Sequence, residues 1–200
     1  MLNKRIITFL VIFLFPTILC AKDITITVFY NNVPYNENLT TAWGISLLIE
    51  GMPRQSRDGE KTILFDVGGS GPILLSNMRK LKIDSDKIDI VVLSHIHGDH
   101  VGGIWNFLEK NNRVTIYMPK SFPEGFKYGI EKMGAKVVSV HKSTEICKNV
   151  YSTGELGTWI KEQSLILNTK KGLIVITGCA HPGIVNIVKK AKGLLKNDIY

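Results

Sequence analysis

The chain has 200 residues, of which 44% are hydrophobic and 21% charged, a composition typical of a globular protein with a sizeable core. Its length fits one domain, or one domain with an export segment. The sequence contains no internal repeats and no low-complexity linker, which excludes a repeat array. The formal net charge of +8 could attract nucleic acid, an anionic surface or a phosphorylated substrate, but the lysines are scattered, which favours ordinary solvated faces.

Residues 1–21 differ in character from the rest. Lys4 and Arg5 precede an apolar run at 6–15, which is the pattern of a secretory signal peptide. The run is too short for a comfortable membrane-spanning helix, which needs about 20 residues. We therefore predict a signal peptide, or alternatively an N-terminal membrane anchor, and an exported protein in the periplasm or outside the cell. Membrane contact is expected only through this segment.

The three cysteines are compatible with an oxidising compartment. Cys20 ends a Thr-Ile-Leu-Cys stretch that offers a lipoprotein signal as a lesser alternative. Cys147 and Cys179 could form a disulfide, although Cys179 has a competing role beside a metal motif. Residues 22–200 are expected to form a single domain.

After the export segment, strands come first and then alternate with helices. Strands are predicted at 24–30, 43–50, 61–65, 88–93, 114–118, 137–140, 164–168 and 173–177. Helices are predicted at about 72–81, 102–108, 122–133 and 184–195. We expect a hairpin loop at 51–60, a glycine-rich turn at 66–71 and an irregular segment at 144–155. This order predicts an α/β fold of α+β character, with two sheets and helices outside.

The most informative stretch is His-Ile-His-Gly-Asp-His at residues 95–100. Imidazole nitrogen and carboxylate oxygen suit zinc, and also manganese or iron. An extended backbone would let His95 and His97 grip one ion, and a turn would let Asp99 and His100 approach from another side. The motif follows an apolar strand, so a rigid scaffold would hold these ligands. It predicts a site for one or two divalent metal ions.

A second predicted strand end also carries ligand-type side chains. The strand at 173–177 is followed by Gly178, Cys179 and His181. Two strand ends of this kind can converge at one edge of a sheet, which makes His181 a further predicted metal ligand. His141 also follows a predicted strand, but we expect it to lie on the surface or in a loop.

With these motifs, the chain resembles the metallo-β-lactamase superfamily. The matching residues are His95, His97, Asp99 and His100 after their apolar strand, and Phe65-Asp66-Val67-Gly68 earlier in the chain. Three stretches resemble more narrowly the branch of metal-dependent hydrolases that contains the dihydropterin-methyl-ribofuranosylaminobenzene-phosphate synthases. These stretches are residues 93–103, 151–155 and 178–186.

The resemblance implies an αββα four-layer sandwich with its metal site at one edge. It implies that His95, His97 and His181 hold one ion, and that Asp99 and His100 belong to a second. Asp66 would orient a ligand histidine from behind, as such partners generally do.

Two departures from the family pattern affect the second metal position. Cys179 stands where many members have a bridging aspartate, and its thiolate could bind or bridge the metals. The chain also ends at Tyr200, where the family's last strand and its final histidine would begin. We therefore expect a sandwich that lacks its usual last strand, with an incomplete second metal site.

The predicted activity is metal-dependent hydrolysis by a metal-activated water, most simply with Zn²⁺, and with Mn²⁺ or Fe²⁺ as alternatives. Asp99 would act as the catalytic residue by helping to orient that water. The expected partner is a small-molecule substrate, phosphorylated or not, and nucleic acid is not expected because export argues against RNA processing. The alternatives are a phosphodiesterase or nuclease of the same fold and a degenerate, non-catalytic metal-binding protein.

Overall fold

A computed structural model describes residues 24–53 and 60–200. The predicted signal peptide or anchor at 1–21, and most of the hairpin loop predicted at 51–60, lie outside the described residues. The described strands, β1 to β10, are Thr25–Tyr30, Ser46–Pro53, Glu60–Phe65, Ile90–Val92, Thr115–Pro119, Lys136–Val140, Lys142–Cys147, Val150–Gly154, Leu165–Thr169 and Gly172–Ile176. The described α-helices, α1 to α5, are Gly71–Lys80, Gly98–Val101, Ile104–Leu108, Glu124–Lys132 and Ile184–Leu195, and a short 3₁₀ helix spans Ser85–Lys87.

The strands form two sheets. The first has six strands in the order β1-β2-β3-β4-β5-β6, and the second has four in the order β10-β9-β8-β7. Strands β1 to β3 pair antiparallel, whereas β3, β4, β5 and β6 run parallel. The carboxyl ends of these four parallel strands therefore lie along one edge of the first sheet.

Three apolar layers separate the sheets and helices. The alternation along β3 shows the arrangement, since Leu64 packs among the helices while Ile63 and Phe65 pack against the second sheet. On the outer face of the second sheet, Ile166 and Leu173 pack against Ala191 of α5. The order of layers is helices, sheet, sheet, helix, so the predicted αββα sandwich is confirmed.

Residues 144–155 were predicted to be irregular, and this prediction is wrong. They contribute to the hairpin of β7 and β8, whose turn includes Asn149 at a φ of 65°. The sequence pattern hides β8 because its buried side chains are partly polar. Ser152 and Thr153 are almost completely buried and make hydrogen bonds instead of apolar contacts.

The helices match the prediction closely, with one exception. Helix α5 has the predicted bounds, and α1 begins with Pro72 in its first turn, as expected. The helix predicted at 102–108 corresponds to α3, and Gly102 and Gly103 join it to α2, a short helix that the sequence analysis did not predict. A β-carbon at either glycine would approach the backbone of 67–69 within 2.4 Å, so glycine permits the close packing of this corner.

Gln163 joins the two sheets next to the metal motif. Its side-chain amide donates to the carbonyl oxygens of Leu93 and Tyr117. Leu93 directly follows β4, and Tyr117 lies on β5, so both belong to the side of the first sheet. Its Oε1 accepts a hydrogen bond from Ser152 on β8 of the second sheet. Its backbone N–H also donates to the carbonyl of Ser94.

The chain's last described residues lie beside β10, where Ile199 makes an isolated parallel bridge with Leu173. Cys147 and Cys179 are both free, so the disulfide considered from the sequence is not formed. Cys147 packs between the two sheets. Within the described part of the chain, no helix has the length and apolar character needed to cross a membrane.

Candidate metal site

Asp66 is the buried carboxylate that holds the histidine motif in place. It follows β3, is completely buried, and adopts a left-handed backbone conformation with a φ of 52°, which aspartate tolerates better than most residues. Its Oδ1 accepts the backbone N–H of Ser94 at 2.7 Å, and its Oδ2 accepts the Ser94 hydroxyl and His100 Nδ1, both at 2.6 Å. Asp66 therefore ties the end of β3 to two parts of the histidine motif.

His95 is held indirectly by the same carboxylate. Because the Ser94 hydroxyl donates its proton to Asp66, its oxygen is left to accept from His95 Nδ1 at 2.9 Å. His95 and His100 both use Nδ1 for these buried contacts, which leaves Nε2 of each ring for a metal. Asp66 thus lies behind both rings, and its role in orienting a ligand histidine stays a prediction.

The other residues of the motif lie on helix α2 or at its start. His97 precedes the helix, and its Nδ1 lies 3.1 Å from His95 Nε2. Asp99 is half-exposed, and its Oδ2 lies 3.4 Å from His100 Nε2. The backbone of Asp99 packs directly on Gly44, where any side chain would collide with the Asp99 carbonyl. The turn after β4 thus brings all four residues of the motif to one place.

Cys179 and His181 reach the same place from the second sheet, after β10. Cys179 Sγ lies 3.2 Å from His100 Nε2. The ring of His181 lies 4.8 Å, centroid to centroid, from the rings of both His95 and His97. Gly178 allows this approach, because a β-carbon there would lie 2.4 Å from Ser94 Oγ.

Glu162 supports this loop and was missed by the sequence analysis. It is completely buried, and its carboxylate accepts the Thr177 hydroxyl and the backbone N–H groups of Ala180 and His181. These bonds fix Ala180 at a φ of 57° and aim His181 at the other histidines. Its signal in the sequence is weak, because two of its three partners are main-chain groups that carry no residue pattern.

The predicted ligands form two overlapping sets of donor atoms. His95, Cys179 and His181 form one set, and Asp99, His100 and Cys179 form the other, with the donor atoms of each set within 4.8 Å of one another. Cys179 belongs to both sets, as a bridging position would require. Among the described residues, every side chain predicted to bind metal lies in this cluster, and its role as a ligand stays a prediction.

Burial and mutual charge shape the titration of the cluster. Burial lowers the pKa of His95 to about 3, with a further contribution from its neighbours His100, His97 and His181. Burial also opposes the charged form of His100, but the hydrogen bond to Asp66 outweighs this and raises the pKa of His100. Burial raises the pKa of the Cys179 thiol, and the nearby carboxylates add to the shift. A neutral His95 is the form that binds a metal ion.

The donor set fits a divalent metal ion. Imidazole, carboxylate and thiolate groups together are typical zinc ligands, and the Nε2 atoms of the two anchored rings face other donor atoms of the cluster. An open groove of about 400 Å³ lies beside the cluster. Its lining includes three of the predicted ligands together with apolar and amide side chains: Asp99, His100, Cys179, Val28, Asn31, Asn32, Val33, Trp43 and Ile45. A small molecule could therefore reach the cluster from this side.

His141 lies outside the cluster, as predicted. Its side chain is 64% exposed and pairs with Glu155 through Nδ1 at 2.8 Å. It follows β6, on the same edge of the first sheet as the metal ligands.

Comparison with known proteins agrees with this fold. The family model described as "Metallo-beta-lactamase superfamily" matches residues 47–189, so the chain belongs to this superfamily. The branch resemblance seen in the sequence is also confirmed. The chain is 29% identical over 201 aligned positions to the 7,8-dihydropterin-6-methyl-4-(beta-D-ribofuranosyl)-aminobenzene-5'-phosphate synthase of Methanocaldococcus jannaschii, covering 78% of this chain and 67% of that protein.

Two further matches are shorter or more distant. A ribonuclease Z of Nanoarchaeum equitans is 38% identical over 79 positions, which cover 36% of this chain and 23% of that protein. Among solved structures, the metallo-beta-lactamase fold protein YhfI of Bacillus subtilis matches with a TM-score of 0.56 at 20% identity. The match covers 78% of this chain and 63% of YhfI, and it shows a shared fold.

Proposed function

We propose that the protein is a zinc-dependent hydrolase of a small molecule that uses a metal-activated water. The observation that carries this proposal is the convergence of the two donor sets, with His95 and His100 oriented by Ser94 and Asp66. Membership of the superfamily supports the same kind of activity. Mn²⁺ and Fe²⁺ remain alternatives to Zn²⁺, because imidazole and carboxylate ligands suit all three.

The roles of the chain's own residues follow from their positions. His95, His97 and His181 would hold one ion, and Asp99, His100 and Cys179 would hold or bridge to a second. A bound divalent ion supplies Lewis acidity, which polarises a carbonyl or phosphoryl oxygen and makes hydroxide available at about neutral pH. Asp99 lines the groove, so its carboxylate can accept a hydrogen bond from the attacking water and orient it toward a substrate.

The decisive test combines metal counting with turnover. Replacement of both His95 and His97 by alanine should abolish zinc binding and the hydrolysis of generic ester, lactam and phosphodiester substrates. His141→Ala, which removes a histidine outside the cluster, should keep the full zinc content. Full zinc occupancy in the double variant would overturn the ligand assignment. Full occupancy without turnover in the unmodified protein would favour the non-catalytic metal-binding alternative.

A second candidate is a phosphodiesterase or nuclease. It is favoured by the match to ribonuclease Z and by the net charge of +8. Such an enzyme should bind RNA with an affinity that falls steeply as salt rises, since phosphate contacts release counterions. RNA binding that is absent or independent of salt would exclude this candidate.

We also propose that residues 1–21 direct export. The basic start and short apolar run support this proposal. Cell fractionation of the full chain, compared with a chain that begins at residue 22, checks it. Retention of both chains in the cytoplasm would contradict export.

A further inference from the structure

A second polar group lies on the sheet edge that carries the metal ligands. Parallel strands β4, β5 and β6 end in turn at Val92, Pro119 and Val140. Ser94 and His95 follow the first of these ends, Ser121 follows the second, and His141 follows the third. Neighbouring strands lie about 4.8 Å apart, so the backbone at His141 is about 10 Å from that of the metal motif.

Glu155 fixes His141 and Ser121 to each other. Its side chain is only 8% exposed, its Oε2 accepts from His141 Nδ1 at 2.8 Å, and its Oε1 accepts the backbone N–H of Ser121 at 2.6 Å. The Glu155 backbone N–H donates in turn to the carbonyl of His141. A largely buried carboxylate that supports an exposed imidazole is a preformed arrangement, since burial of the charge is offset by these bonds.

The backbone around this pair is closely packed. Gly154 has a φ of 73°, and a β-carbon there would lie 2.6 Å from the backbone of Lys142 and Ser143. Only glycine allows the end of β8 to lie so close to the start of β7. His141 is therefore presented by a tightly packed corner of the fold, with Nδ1 occupied and Nε2 left for a ligand.

Lysines flank the pair in the sequence. Lys120 precedes Ser121, Lys142 follows His141, and Lys161 lies in the segment that continues from Glu155. On helix α4, Glu124 is paired with Lys127 at 2.7 Å. This balance favours an anionic ligand.

The pair is also connected to the metal cluster through the chain. Leu156, next to Glu155, exchanges two backbone hydrogen bonds with Glu162. Glu162 holds the loop that carries His181. The segment 155–162 thus links the His141 corner to the metal-ligand loop along one side of the site.

We propose that His141, held by Glu155, forms a subsite for the phosphate group of a phosphomonoester substrate whose reacting bond lies at the metal cluster. The separation of about 10 Å suits a small molecule bound at two points. The use of the subsite by a substrate rests on the proposed function, whereas phosphate binding at His141 does not.

Titration of the metal-free chain with inorganic phosphate tests this subsite, because phosphate would otherwise also bind the metal. Calorimetry should show saturable binding, and NMR should show a saturable shift of the His141 ring signals that potassium chloride at equal ionic strength does not produce. His141→Ala should weaken phosphate binding at least tenfold, and Glu155→Gln at least threefold. Lys136→Ala, at the opposite end of β6, is the matched control and should bind phosphate like the unmodified chain.

Unchanged affinity in His141→Ala, or a shift confined to the rings of His95, His97 and His181, would overturn the subsite. Neither result would affect the metal assignment, which is tested by zinc content. In the zinc-loaded protein, His141→Ala should raise KM about tenfold for a phosphorylated substrate and leave KM unchanged for its unphosphorylated counterpart. An equal effect on both substrates would show that His141 acts on something other than the phosphate.

Discussion

At both ends of the edge formed by the carboxyl ends of β3 to β6, a carboxylate holds an imidazole ring by a hydrogen bond. The surroundings of the two rings differ. After β3 and β4, Asp66 and its ring partner His100 are both buried, and the free ring nitrogen faces other donor groups. After β6, Glu155 is buried while its ring partner His141 is 64% exposed. The same hydrogen bond at Nδ1 thus supports a predicted metal ligand where the ring is enclosed among donor groups, and a solvent-facing ring where it is not.

We call the Asp66–His100 pair with its donor groups the enclosed end, and the Glu155–His141 pair the exposed end. The substitution expected to disrupt the enclosed end most is Asp66→Asn. Asparagine tolerates the left-handed backbone but cannot accept as a charged group from Ser94 and His100, so we expect a loss of about 3 kcal/mol in the free energy of unfolding. Zinc affinity should fall about 10-fold to 100-fold. Denaturant unfolding and competition with a chelator measure the two effects. Asp84→Asn, at an exposed carboxylate, should change neither quantity.

Gly178→Ala tests how closely the second sheet must approach the enclosed end. The new β-carbon would lie 2.4 Å from Ser94 Oγ and 3.1 Å from His95 Nδ1, so the cost should be about 2 kcal/mol in unfolding free energy. Gly193→Ala in α5 is the control, since a β-carbon there meets nothing within 4 Å and should stabilise the helix slightly. Equal stability of the two variants would show that the approach is not tight.

Cys179→Ser asks whether the enclosed end includes a thiolate ligand. Because Cys179 belongs to both donor sets, we expect metal affinity to fall about tenfold, or about 1.4 kcal/mol. The cobalt-loaded protein should show a sulfur-to-metal absorption band that the serine variant lacks. A cobalt spectrum that is the same in both proteins would mean that Cys179 does not bind the metal.

Glu155→Gln should have the smallest effect and probes the exposed end. Burial opposes the charged form of Glu155, but hydrogen bonds from His141 and Ser121 outweigh it and lower the pKa of the carboxyl group. A lowered pKa gives stability that is present above the ordinary value of about 4.3 and is lost as pH falls through the folded-state pKa. Thermal unfolding should show the variant less stable by about 1 kcal/mol at neutral pH, with the difference shrinking in acid. A difference that stays constant down to pH 3 would contradict this assignment.

The sequence predicts the enclosed end much better than the exposed one. The motif at 95–100, Asp66 and the loop with Cys179 and His181 are ligand-type residues at strand ends, and a pattern of residue types is enough to find them. Asp66 and the motif meet because β3 and β4 are parallel and end at one edge of the first sheet, whereas the loop with Cys179 and His181 arrives from the second sheet. The predicted strands up to residue 140 are also found, because each is marked by an alternating or mainly apolar run.

The parts that were missed depend on contacts between distant polar groups. Strand β8 buries Ser152 and Thr153, so its pattern does not alternate between polar and apolar residues. Glu162 is essential to the position of His181 but bonds to main-chain N–H groups, which every residue but proline has. Glu155 lies in the segment that was expected to be irregular, and its pairing with His141 depends on the unpredicted hairpin of β7 and β8.

Gln163 has a consequence for how the site is assembled. Its four hydrogen bonds connect the end of β4 and strand β5 of the first sheet with β8 of the second sheet. A slip of one sheet over the other by a single residue, about 3.3 Å, would break these bonds. The same slip would move Cys179 and His181 away from the histidines of the other sheet. Resistance to shear between the sheets therefore keeps the two halves of the predicted ligand set in register, so the complete set of donor atoms exists only once the sheets have docked.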